Sequence, residues 1–171
     1  MNDTLTRYLA GIASERDRAN LRAILVPIAD RFSSQMLSNS TLVIGTASKL
    51  VPKTGAAISR GTVQGVPVDI AAGTVMPALV GTITNAYFNV YCFFVDKAET
   101  ITSAMGTEGS TFATMVFPPF PEGKTLLGFV LVNPTGTGNF VGGTTELDDG
   151  TVVPGAVYIS PVGPFDPSIR L

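Results

Sequence analysis

The chain has 171 residues, of which 45 % are hydrophobic and only 14 % charged, with a formal net charge of −2 and no histidine. Charge this sparse, against roughly 25 % in an ordinary soluble domain, argues against wrapping nucleic acid, which needs clustered Lys and Arg, and favours a surface partly covered by other protein. Without imidazole, a Ser-His-Asp or Cys-His centre and a His-containing zinc site are excluded, and the single cysteine, Cys92, excludes an internal disulfide and Cys-only metal ligation within one chain.

Residues 1–40 form a leader that differs from the rest. They hold nine of the 24 charged residues, including Arg7, Arg16, Arg18, Arg22 and Arg31, but only one glycine, Gly11, and one proline, Pro27. Asn2, Asp3 or Thr4 can cap a helix, and Leu5, Leu9, Ile12, Leu21, Ile24, Leu25 and Ile28 follow helical spacing. Pro27 lacks an N–H and crowds the preceding turn, so the pattern predicts one helix to about residue 26 and a second from Pro27 to Met36. Such a helix buries its apolar stripe on its own β domain, on sister copies or on a shell protein. Arg18 and Arg22, four apart, share a face, with Glu15 three residues before Arg18. That face is a solvated one with internal ion pairs, an anchor on an acidic protein surface, or a contact with packaged nucleic acid. The N-terminus shows no apolar secretory core, and no apolar run reaches the roughly 18 residues of a membrane span. A protein made in the cytoplasm, with no membrane partner, is expected.

After the polar cluster Ser38-Asn39-Ser40 the chain reads as short strands between Gly and Pro turns, over residues 41–160. The strands expected are Leu42–Thr46, Ala57–Ser59, Val66–Ile70, Ala86–Val95, Phe112–Phe117, Leu126–Val132 and Thr151–Ile159. Ala86–Val95 and Leu126–Val132 are apolar on both faces, as in central strands covered on both sides. Pro154 sends the last strand to an edge or a bulge, and Asp149-Gly150 signals a hairpin turn. No helical segments lie between strands to build crossovers. The fold class predicted is therefore mainly β, an antiparallel sandwich or barrel, preceded by the α-helical leader.

Candidates for chemistry are few. Glu146, Asp148 and Asp149 would suffice for carboxylate hydrolysis, but Asp in such a run is favoured as a turn residue bonding its own backbone. The stretches Gly136-Thr137-Gly138 and Gly142-Gly143 lack the Gly-Lys-Ser/Thr of a phosphate cradle. No catalytic residue, metal site or cofactor is assigned, and the protein is expected not to be an enzyme. Residues 161–171 hold Pro161, Pro164 and Pro167 and read as an extended arm, with Phe165 and Ile169 as its anchoring side chains on a neighbour.

The run Leu127-Gly128-Phe129-Val130-Leu131-Val132, followed by Gly138-Asn139-Phe140-Val141-Gly142-Gly143-Thr144-Thr145-Glu146-Leu147-Asp148, resembles a pattern in small head-associated proteins of tailed bacteriophages, the decoration, cement and head-fibre proteins. Pro119-Phe120-Pro121-Glu122-Gly123-Lys124 is similar to the turn before that strand, so the resemblance covers Pro119 to Val153 and leaves out the leader and tail. It implies a structural virion protein that binds and stabilises the outer surface of a phage capsid. The partners implied are the major capsid protein and copies of the chain itself, a homotrimer being preferred because shells offer three-fold positions. Arg16, Arg18, Arg22, Phe165 and Ile169 are the candidate contacts. The alternative is a head-fibre or tail-spike module binding a host glycan or receptor, for which Tyr87, Tyr91 and Tyr158 are the available aromatics.

Overall fold

Two long apolar strands organise the molecule, whose computed structural model describes residues 15–165. In chain order the elements are α1 (Glu15–Ser33), β1 (Gln35–Met36), β2 (Val43–Ile44), β3 (Pro52–Lys53), β4 (Ser59–Val63), β5 (Val66–Ile70), β6 (Thr82–Ile83), β7 (Asn89–Asp96), β8 (Ile101–Met105), β9 (Lys124–Val132), β10 (Phe140–Val141) and β11 (Val157–Ile159). Among the described residues the chain is mainly β, with one helix ahead of antiparallel sheets. The largest sheet has the order β11-β9-β7-β8; β1-β4-β5 form a second, and β10-β6 and β2-β3 are two-stranded.

β7 and β9 lie at the centre of the large sheet, and both of its faces are covered. Tyr91, Phe93 and Val95 enter one core with Leu127, Val130 and Val132; Val90, Cys92 and Phe94 enter a second with Leu126 and Phe129. This is the two-sided burial that the unbroken apolar runs predicted. The register slips between Phe93, opposite Gly128, and Phe94, opposite Leu126, which leaves Leu127 as an extra residue on β9. The slip makes a β-bulge, and the face assigned to each residue along β9 changes hand across it. The carbonyl of bulged Leu127 accepts a hydrogen bond from buried Ser40 Oγ at 2.8 Å, and Ser40 is paired with Ser160 Oγ at 2.8 Å. An acceptor that the ladder leaves out is thereby satisfied from outside the sheet.

β4 and β5 form a hairpin closed by Gln64 and Gly65, both with positive φ (52° and 76°), between paired Val63 and Val66. Two consecutive left-handed residues match the right-handed twist of the flanking strands. β11 is an edge strand, but of the expected Thr151–Ile159 only Val157–Ile159 is strand, and Pro154 lies in the irregular segment ahead of it.

Several expectations need correction. Pro27 does not break α1, which runs unbroken from Glu15 to Ser33. One forfeited ladder bond is offset by fixing of the last turn: Gly123 N donates to Asp30 Oδ2 at 3.2 Å, Gly65 N to Ser33 O at 3.0 Å and Gln64 N to Ser34 Oγ at 2.9 Å. The helix also ends before Met36, because Gln35 and Met36 pair with Thr62 and Gly61 of β4. Phe112–Phe117 is not a strand but a turn followed by an isolated bridge at Val116. There Thr114 Oγ1 contacts Thr111 O at 3.0 Å and Met115 N donates to the same carbonyl at 3.2 Å, so local hydroxyl and backbone bonds replace a ladder. Asp149-Gly150 closes no hairpin either. Asp149 Oδ1 accepts from Thr151 N at 2.8 Å and Val152 N at 3.3 Å, an Asx-type turn in which the side chain takes the place of a strand partner.

Candidate functional site

α1 supplies the most unusual surface on the molecule. At about 100° per residue, Leu21, Ile24, Leu25, Ile28 and Phe32 fall within a stripe about 100° wide, the width of a core-facing helix face. Yet Ile24, Leu25, Ile28 and Phe32 are 60 %, 38 %, 48 % and 68 % exposed. The direction of the stripe follows from how the helix is held. Asp30 and Ser33 are helix residues that reach the β domain, through Gly123 N and Gly65 N, and Leu21 lies nine residues before Asp30, roughly 180° around the helix. The apolar face therefore lies opposite that tether, on a helix whose other side, at Ala23 and Val26, is exposed as well. Scattered exposed apolar residues need no explanation, but a contiguous stripe on one helix face marks an interaction site.

The candidate contacts from the sequence fall in three places. Arg18 and Arg22 lie on the exposed first half of α1. Arg16 is in its first turn, with a side chain outside the described residues, as are Ile169, the caps Asn2, Asp3 and Thr4, and Leu5, Leu9 and Ile12. Phe165 is placed on its own domain. Its ring stacks on Phe129 with centroids 6.3 Å apart and planes at 11°, and Gly163 N donates to Met36 O at 2.8 Å. The described part of the tail thus bridges to β1 of the same chain, while Phe165 keeps part of its surface open. Sequence reasoning missed this pairing because an antiparallel bridge between residues 36 and 163 leaves no local pattern.

Of the remaining candidates, Asp148, Asp149 and Tyr91 are occupied with structure, while Tyr87 is exposed. Asp148 Oδ2 pairs with Lys49 Nζ at 2.7 Å on the surface, and the hydrogen bond to this carboxylate raises the lysine pKa above its usual value. Asp149 is engaged in its own turn. Tyr91 is 1 % exposed and meets Phe140 edge-on at 6.1 Å, so it belongs to the core and not to a ligand groove. Burial pushes the Tyr91 and Tyr158 hydroxyls and the Cys92 thiol up to about 12. A thiol held neutral at physiological pH is a packing group and a poor nucleophile. Among the described residues there is no cluster of three or more His, Cys, Asp or Glu side chains able to hold a metal ion, and no helix long and apolar enough to cross a membrane.

No protein-family pattern, curated protein or solved structure matches this chain.

Proposed function

We propose that the protein is a structural component of a virus particle, a decoration or cement protein that binds the outer face of a phage capsid as a homo-oligomer after synthesis in the host cytoplasm. The observation that carries this reading is the exposed apolar face of α1, opposite its Asp30 tether. A folded domain that presents such a face, with charge so sparse, is suited to adhesion. The likeness of Leu127–Asp148 to head-associated phage proteins supplies the identity of the surface it adheres to. Arg16, Arg18 and Arg22 are proposed to pair with shell carboxylates, whose geometry suits the guanidinium fork, and Phe165 and Ile169 to anchor the tail.

Stabilisation would follow by mass action. A protein that binds only the assembled shell favours it by RT ln(1 + [L]/Kd), about 2.7 kcal/mol per site at a free concentration of 100 Kd, and bridging of several capsomers multiplies the effect. Co-sedimentation of the purified protein with undecorated capsids tests the reading. Binding, with a raised temperature of capsid disassembly, is expected for the full chain and is expected to weaken when residues 1–37 are deleted. A protein left wholly in the supernatant at saturating concentration refutes it.

A further inference from the structure

We propose that the occupant of the α1 stripe is a second copy of this chain, and that α1 packs against α1 in a parallel bundle of more than two helices. The inference deepens the adhesive-surface reading above and rests on it, but it does not need the capsid.

The spacing of the stripe carries the first part. Leu21, Leu25, Ile28 and Phe32 are separated by four, three and four residues, the d-a-d-a seam of a heptad. A strict seam of this kind suits a like helix at a shallow crossing angle better than it suits an irregular groove. The second part is charge. In this register Asp17 takes a g position and Arg22, five residues later, takes the following e position. In a parallel bundle these are the two flanking positions of adjacent helices that meet across the seam. Identical chains thereby present opposite charges to each other at the same height. The third part concerns copy number. The central a and d positions are Leu25 and Ile28, a combination that favours three or four strands over two. Ile24 at g and Ala29 at e widen the apolar face beyond a two-stranded seam. The last turn of α1 is bolted to its own β domain through Asp30, on the opposite side from the seam. Bundling therefore leaves the β domains arrayed around the outside without collision along the seam. Arg22 becomes a contact between copies in this arrangement and Arg18 takes the a position one heptad before Leu25, at the N-terminal end of the seam, which leaves Arg16 for the shell.

Sedimentation analysis of the full-length protein tests the proposal, with a mass of three or four chains expected. The double variant Leu25→Asp/Ile28→Asp changes exposed residues only, so it should keep the β-domain melting transition and sediment as a monomer. Reversing one charge, in Asp17→Arg or in Arg22→Asp, should weaken association, and combining the two should restore it. For orientation, Leu21→Cys should form same-position disulfides between copies on oxidation, which only parallel helices allow. A wild-type monomer or dimer, an oligomer untouched by Leu25→Asp/Ile28→Asp, or a Leu21→Cys protein that does not cross-link would each overturn it. The capsid reading is judged separately: oligomers that ignore capsids leave the bundle standing, and monomers that coat capsids remove the bundle alone.

Discussion

The β domain and α1 use the same apolar residue types to opposite ends. In the β domain, Tyr91, Phe93, Leu127 and Val130 are shut into cores on the two faces of one sheet. In α1, Ile24, Leu25, Ile28 and Phe32 are displayed to solvent on the face opposite the Asp30 tether. The difference shows that apolar content alone does not say where a segment buries itself. Attachment decides it: a strand hydrogen-bonded on both edges takes its side chains inward, whereas a helix pinned by Asp30 leaves its stripe exposed.

The contrast is broken most severely from the core side. Phe93→Ala should cost about 3–5 kcal/mol, as a large aromatic replaced by methyl leaves a cavity between β7 and its cover; equilibrium unfolding in urea reads the loss. Alkali should act on the same core. Cys92 and Tyr91 titrate near 12 when folded, against ordinary values of 9.0 and 10.0. Above those ordinary values the unfolded chain releases protons that the folded chain retains, so stability, intact below pH 9, falls as pH rises towards 12. The slope is about 1.4 kcal/mol per pH unit for each fully engaged group, and melting temperatures measured from pH 8 to 11.5 check it.

A smaller effect is expected at the bulge. A Cβ on Gly128 would lie 2.5 Å from Leu42 Cδ1 and 2.8 Å from Ile159 O, so Gly128→Ala should destabilise by about 1–3 kcal/mol through overpacking. Ser40→Ala should cost a comparable ~1–2 kcal/mol because it strips the Leu127 carbonyl of its partner; denaturation midpoints with unchanged slopes would establish both. The smallest effect belongs to α1. Ile24→Ser should alter the unfolding free energy of the isolated chain by less than about 0.5 kcal/mol. A larger loss in dilute protein would mean that the stripe belongs to the fold after all.

Much of the β architecture was legible from residue order. Val66–Ile70 matches β5 to the residue, and the unbroken apolar runs of β7 and β9 announced a sheet covered on both sides. What escaped was governed by contacts distant in sequence or by side chains acting on the backbone. The helix passes Pro27 because Gly123, 93 residues beyond Asp30, holds its end. The segment at Phe112 turns because Thr111 and Thr114 bond each other, an option that alternation of apolar residues does not reveal. For the candidate site, helical spacing disclosed the stripe but not its direction, which required the position of Asp30. Of the carboxylates, Asp149 closes its own turn as its residue type favours, while Asp148 pairs with Lys49.

The bridge between Met36 and Gly163 has a mechanical meaning. It joins the segment that follows α1 to the segment that leads into the tail, so the intervening chain forms a closed circuit. Tension applied through the helix and the tail would be borne first by this clamp and by the short strand β1, with little load reaching β7 and β9. A protein so built would yield by peeling open at one latch before its interior is disturbed.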